Sequence, residues 1–326
     1  MKNSFRTKYG IIKGVASCEY YEGNTIKECS LNSQNQILTK YGVLIPQFDD
    51  SEDRKKFIKS MSFYKSGALK SIALNDQTEI KTSLGTFPAE LLTFYESGEI
   101  KRLFPLNGKI TGYWGEEDEY GLAPLLDLNL GFDRIKTKVI SIYFYESGKI
   151  KGLTLWPKDT LTVPLSIGKI SVRIGITFYE DGKVKSFEPN IPTRIDTPLG
   201  TILAYNSIAS GINGDLNSVN LYQDGTIESL MTSTDKILIT NTRGKRQSFE
   251  PSLRPNPLFL DKKEIVPLII EFNQNKVRFI DKYEYCISNC SFKVVSSTVL
   301  KELESCGGDC SSCSSCNSCS SYSSCS

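Results

Sequence analysis

Apolar and polar positions along the chain repeat one short pattern. Two adjacent aromatics are followed by a polar residue, a Ser-Gly or Asp-Gly pair, a polar residue, an aliphatic, a lysine and then further aliphatics. It is plainest in SFYKSGALKSIAL from Ser62, TFYESGEIKRLFPL from Thr93, YFYESGKIKGLTLW from Tyr143 and TFYEDGKVKSFEP from Thr177. Looser copies are EYYEGNTIKECSL from Glu19, NLYQDGTIESLM from Asn220 and EFNQNKVRFI from Glu271. Aromatic and β-branched residues on both sides of a glycine turn predict a β-hairpin for each copy. The Ser-Gly and Asp-Gly pairs supply the positive φ that either a type I′ turn or a type I turn with a G1 bulge requires. In the second strand the apolar positions run Ile150, Leu153, Leu155, one residue off strict alternation, and the same offset recurs at Ile100, Leu103 and at Val184, Phe187. A recurrent bulge would return the later residues to the core face. The aromatic pairs are expected to pack in or beside that core.

A second element lies between the hairpins, in TKYGVLIPQF from Thr39, TSLGTFPAELL from Thr82 and TPLGTILAY from Thr197. A threonine, a nearby glycine and an apolar alternation predict a turn followed by another strand, so the full unit spans about three strands. The hairpin glycines at 23, 67, 98, 148, 182 and 225 stand 31 to 50 residues apart. The expectation is therefore an all-β fold of repeated hairpin units forming an extended or rolled antiparallel meander, with a disordered Cys/Ser-rich tail. The body is placed at residues 1–296, with room for two lobes, a short helix or linker at 297–304 and the tail at 305–326.

FYESGKIK and FYEDGKVK resemble the YYENGKLK-type hairpin of MORN-repeat variants, including those of bacterial MORN-like antitoxins. The likeness covers about eight residues in each copy, roughly a quarter of the chain. Such repeats usually follow one another at short, even spacing, and these do not. The resemblance implies an elongated β-sheet scaffold used for contact with a protein partner, and it carries no catalytic residue across.

Composition narrows the function classes. At 326 residues, 39% hydrophobic and 23% charged, with 39 basic against 37 acidic residues, the chain has the profile of a soluble globular protein whose overall field attracts neither nucleic acid nor anionic membrane. No window offers the roughly 18 apolar residues of a membrane span, and the first residues hold no apolar run of signal-peptide length. A cytoplasmic location is expected, where clustered thiols stay reduced and favour metal or redox chemistry over disulfides. There is no histidine, which removes histidine bases, Ser-His and Cys-His pairs and histidine metal ligands, so no enzyme is expected.

Four body features carry candidate chemistry. GYWGEEDEYG from Gly112 sets Tyr113 and Trp114 beside Glu116, Glu117, Asp118 and Glu119, a loop suited to a partner or a hard cation. Asn213, Asp215, Asn217 and Asp224 imitate part of a calcium loop, but the glycine and glutamate it needs are missing, which leaves an Asx-rich turn. If Gly23-Asn24 is a two-residue turn, Cys18 and Cys29 face each other across the first hairpin, as a disulfide or as two ligands of one metal. Cys286 and Cys290 are read as small buried hydrophobes.

The strongest chemical signal is SCGGDCSSCSSCNSCSSYSSCS from Ser305. Cys306, Cys310, Cys313, Cys316, Cys319 and Cys325 sit among serines, with nothing apolar to bury except Tyr322. The first three have the spacing of radical-SAM ligands, but Ser312 in a serine tract replaces the usual aromatic neighbour. Overlapping Cys-x2-Cys pairs bring thiolates to one soft ion, so four of the six can close a tetrahedron around Zn²⁺, or the set can hold Cu(I). The leading expectation is a non-enzymatic interaction scaffold with a tail that binds a soft metal. The competing one is a precursor or redox substrate whose tail cysteines are modified or oxidised.

Overall fold

The computed structural model describes residues 4–49, 59–107, 115–209, 217–259, 262–280 and 282–299. The tail cysteines, Tyr113, Trp114, Asn213, Asp215 and most of the expected helix or linker at 297–304 lie outside them. The fold is all-β, as the alternation predicts, and antiparallel throughout its paired strands, apart from one isolated parallel bridge. Seven hairpins stand side by side in one open sheet: Val15–Tyr20 with Ile26–Leu31, Met61–Phe63 with Leu69–Thr82, Gly85–Phe94 with Ile100–Phe104, Val139–Phe144 with Ile150–Leu155, Gly168–Phe178 with Val184–Pro189, Val219–Leu221 with Ile227–Thr232, and Leu268–Asn273 with Lys276–Phe279. Tyr283–Cys286 closes one edge, and Thr160–Leu165 pairs with Gly168–Phe178 off the main path.

Five of the first six hairpins turn the same corner. Gly98 N–H donates to Tyr95 O, Tyr95 N–H donates to Glu99 O, and only Gly98 has positive φ; hairpins two, four, five and six repeat this arrangement. That is a type I turn closed by a G1 bulge, which decides between the two turns that the sequence allowed. The first hairpin departs from it, with Gly23 and Asn24 both at positive φ. Beyond the turn comes the second bulge. Phe144 pairs with Ile150 but Tyr143 pairs with Gly152, which leaves Lys151 as the extra residue. Lys27, Lys70, Lys101, Lys185 and, in the sixth hairpin, Glu228 occupy the same place.

The bulge sorts the side chains into two continuous rows. One row, directly paired from strand to strand, runs Met61, Ile72, Leu92, Leu103, Ile142, Leu153, Ile176, Phe187, Val219, Leu230, Ile270, Phe279. All twelve are buried, and burial of each side chain stabilises the sheet by about 1.5–3 kcal/mol. The next row, on the opposite face, runs Ser62, Ser71, Thr93, Arg102, Tyr143, Gly152, Thr177, Ser186, Asn220, Ser229, Glu271, Arg278.

The apolar face is covered by small hairpins: Ser4–Thr7 with Gly10–Lys13, Ile37–Thr39 with Gly42–Leu44, Leu126–Asn129 with Arg134–Thr137, and Thr193–Thr197 with Gly200–Ala204. The expected third strand of a meander is instead this second layer, because each threonine turn has apolar alternation on both sides and folds back on itself. In Thr39-Lys40-Tyr41-Gly42 the Thr39 hydroxyl accepts from Tyr41 N–H at 3.1 Å and donates to Gly42 O at 3.0 Å. Thr82 and Thr197 make the same pair of bonds, and so does Thr7, in a copy that the sequence reading missed. Aromatics of this layer reach the sheet phenylalanines, Phe5 on Phe63 at 6.2 Å, Tyr41 on Phe94 at 6.2 Å and Phe132 on Phe178 at 6.3 Å. Leu69–Thr82 and Gly168–Phe178 belong to both layers. Each breaks register where it leaves the main sheet, the second at Ile174, a β-branched residue held at φ 61°.

Candidate functional site

Among the described residues no hairpin layer covers the polar face of the main sheet over hairpins two and three, although Ser141, Thr154, Thr177, Ser186 and Glu188 further along it are buried. The chemistry of this face follows from the hairpin pattern. In each Phe-Tyr pair the Phe points into the core, so the Tyr falls on the open face beside the bulged lysine. Tyrosine hydroxyls then join neighbouring hairpins. Tyr21 donates to Phe63 O at 3.0 Å, Tyr64 to Phe94 O at 2.7 Å, Tyr95 to Phe144 O at 2.9 Å and Tyr145 to Phe178 O at 2.8 Å. Tyr179 to Leu221 O at 2.8 Å and Tyr222 to Phe272 O at 2.7 Å complete the series. Adjacent hairpins share as few as two paired residues, as at Arg102–Tyr143 and Leu103–Ile142, so each tyrosine reinforces a short seam. Over the rings lie the bulged lysines, Lys70 at 5.8 Å from the Tyr64 centroid, Lys101 at 5.7 Å from Tyr95, Lys151 at 5.3 Å from Tyr145 and Lys185 at 5.5 Å from Tyr179.

Two grooves of similar size cross this face. The first, about 470 Å³, spans hairpins two to four between Tyr64, Lys70, Lys101, Arg102 and Tyr143, with Ser62, Ser71 and Thr93 on its floor and no carboxylate in its lining. The second, about 480 Å³, spans hairpins five to seven and holds Lys185, Lys276 and Arg278 together with Glu228, Glu271 and Glu284. In the second groove the charges neutralise one another, Arg278 to Glu271 at 2.5 Å and Lys276 to Glu284 at 2.6 Å. In the first, neither Lys70 nor Lys101 has an ion pair among the described residues, and the Arg102 guanidinium lies 4.6 Å over the Tyr143 ring. Burial opposes ionisation of the Tyr143 phenol. Lys151, donating to it at 3.1 Å, outweighs that together with Tyr95 and Lys101 and holds the phenol below its ordinary range.

No protein-family model, curated protein or solved structure matches the chain. The functional reading rests on the geometry of this protein alone.

The acidic segment is not the loop that its composition suggested. Glu116–Leu122 is a short helix whose first turn carries all four acids, where the helix dipole favours them, and Asp118 caps it by accepting from Gly115 N–H at 2.9 Å. Lys158 holds Glu117 at 2.7 Å. Glu116 and Glu119 line a cavity of about 350 Å³ with Arg102, Trp156 and Thr154, so the four acids divide among three tasks and do not converge on one cation. Asn217 is buried and its amide donates to Ser186 at 2.8 Å, while Asp224 accepts from Thr226 in the turn of the sixth hairpin. The two belong to separate elements.

Cys18 and Cys29 are direct cross-strand partners, as the count of residues predicted, although the turn between them is longer than the two residues assumed. Both are free thiols. Cys29 is buried, which pushes its thiol up to about 12, with a further contribution from Cys18. Cys18 is half-buried and its thiol donates to Tyr20 Oη at 3.0 Å. Cys286 and Cys290 are not the buried hydrophobes expected, because Cys286 ends the edge strand of the main sheet, Cys290 opens the edge strand Cys290–Ser296 of a separate three-stranded sheet, and both are only half-covered. The Cys286 thiol interacts with Ser288 Oγ at 3.2 Å, and that contact holds it below the ordinary thiol range. Among the described residues no three Cys, Asp or Glu side chains converge as metal ligands. No helix among them is long and apolar enough to cross a membrane.

Proposed function

We propose that this protein is a non-catalytic interaction scaffold whose open sheet face receives a protein partner and whose thiol-rich tail binds a soft metal. The observation that carries the first half is the inequality of the two faces. One is covered by the second layer, whereas the other displays tyrosines on six hairpins and bulged lysines on five of them, at regular intervals. Aromatic and cationic side chains on a rigid frame are the groups that supply binding energy at protein interfaces. The sheet already fixes the backbone that carries them, so the ordering cost of binding falls on the side chains.

The metal half rests on sequence: six thiols between Cys306 and Cys325 in a segment with almost nothing apolar. Two measurements test the reading. A photo-crosslinking residue at Tyr143 should yield a discrete heavier species in the native cell extract, and the same residue at Leu38, on the second layer, should not. Anaerobically isolated full-length protein should carry Zn²⁺ or Cu(I) by elemental analysis, and protein truncated after Glu304 should not. Absence of the crosslinked species removes the scaffold role, and metal-free full-length protein from metal-replete cells removes the metal role.

A further inference from the structure

The two lysines of the first groove, Lys70 and Lys101, have no ion pair among the described residues, and they continue a periodic row with Lys151, which donates to the Tyr143 phenol at the groove's end. Lys70, Lys101 and Lys151 hold the same bulge position on every second strand, so they repeat at twice the strand spacing, about 9.6 Å, along a line that crosses the strands. A half-buried tyrosine ring stands under each of them. A polyproline II helix has three residues per turn and a rise of about 3.1 Å, so every third side chain falls on one side at intervals of about 9.3 Å. Proline-rich segments in that conformation dock on aromatic-lined grooves, where their rings pack against aromatic faces at small entropic cost. The two periods agree, and the charge of the groove selects acids for the third positions.

We propose that the groove over hairpins two to four binds an acidic, proline-rich segment of a partner protein, held as a polyproline II helix with a carboxylate on every third residue meeting Lys70 and Lys101. The proposal rests on reading the open face as the interaction surface. The carboxylates of Glu96 and Glu146, on the turns of hairpins three and four, act on the Tyr64 phenol from the turn side and repel an anion there. The bound acids therefore lie toward the row of Ser71 and Thr93, whose hydroxyls supply further donors. In the second groove Glu228 takes the bulge position, Glu271 and Glu284 already hold Arg278 and Lys276, and three carboxylates line it, so the segment ends before it.

The test uses full-length protein and fluorescein-labelled peptides in an anisotropy titration at low salt. One peptide carries four Glu-Pro-Pro repeats. A second has the same composition with its four glutamates contiguous, and a third has lysine in place of glutamate. The regular acidic peptide should bind, the contiguous one several-fold more weakly and the lysine peptide not at all. The double variant Lys70→Glu/Lys101→Glu should lose about tenfold in affinity while its thermal melt stays that of the parent. Lys70→Gln/Lys101→Gln, expected to lose less, replaces it if the charge reversal disturbs folding. Equal affinity for the two acidic peptides, unchanged affinity in the double variant, or no binding of the regular peptide each overturns the proposal. If binding fails while the Tyr143 crosslink persists, the face contacts a partner of other chemistry. Loss of both ends the scaffold reading as well.

Discussion

The phenol of Tyr95 donates a 2.9 Å hydrogen bond to the carbonyl oxygen of Phe144, one hairpin further along the sheet. The seam it crosses has only two directly paired residues on each side, so the bond adds materially to what holds hairpins three and four together. Burial pushes the Tyr95 phenol well above its ordinary range, which favours the protonated form that donates this bond. Tyr95→Phe keeps the ring and removes the bond. It should cost about 1 kcal/mol in urea unfolding, with an unchanged denaturant slope. Tyr222→Phe, at a more exposed tyrosine of the same series, should cost less. Equal or negligible losses at both positions would mean that the tyrosines act only through their rings.

The bulge at Lys151 sets which residues enter the core. With Lys151 present, Ile150, Leu153 and Leu155 are all buried; without it, the strand beyond slips by one residue and turns Leu153 and Leu155 to the polar face. Deleting Lys151 should therefore cost more than about 4 kcal/mol or abolish cooperative unfolding. Lys151→Ala, which keeps the bulge, should cost less than about 1 kcal/mol. Gly152 next to it adds a second constraint, since a Cβ there would stand 2.9 Å from the Ile176 carbonyl oxygen. Gly152→Ala should be destabilising by about 1–3 kcal/mol despite the extended backbone.

Those two residues also show how far the sequence could be read. The offset at Ile150, Leu153, Leu155 disclosed the bulge because a strand has a strict period of two, and any departure from it is visible without coordinates. The hairpins were legible for the same reason. The second layer was not. A threonine turn between short apolar runs reads equally as a strand in the sheet or a hairpin on top of it, and only long-range packing such as Phe5 on Phe63 decides. The tyrosine series was invisible because its donors and acceptors are about 30 to 50 residues apart, although the Tyr before each of the first six hairpin turns was its local trace. The acidic run misled for a simpler reason: four acids in succession suggested a loop, while a glycine cap and the dipole make the same run a favourable helix start.

Thiol reactivity should separate the body cysteines sharply. Cys29 stays a thiol, because burial and the neighbouring Cys18 raise it to about 12, so at pH 8 only about one molecule in ten thousand carries the thiolate. Cys286 is half-covered and its hydrogen bond with Ser288, aided by Lys276, lowers it. In native protein treated briefly with iodoacetamide at pH 7.5, peptide mapping should find Cys286 alkylated first and Cys29 last. Ser288→Ala should slow alkylation of Cys286 and leave Cys29 unaffected. Early labelling of Cys29 would show that the first hairpin opens readily.

Glu188 gives the fold a pH dependence of unusual sign. Its side chain is fully buried between hairpins five and six, where it accepts from Ser218 N–H at 2.8 Å, from the Ser218 hydroxyl at 2.5 Å and from Asn206 N–H at 3.3 Å, with Arg173 3.8 Å away. Burial outweighs those donors and raises the carboxyl above the ordinary glutamate value of 4.5. A group whose folded value is raised contributes stability in full below its unfolded value and loses it as pH climbs through the folded one. The parent should therefore lose stability relative to Glu188→Gln between pH 4.5 and pH 8, whatever the offset between them at the acid end. Urea unfolding of both proteins across that range measures the difference. A gap that stays constant would assign Glu188 a charge state that does not change on folding, with its donors and Arg173 fully compensating for burial.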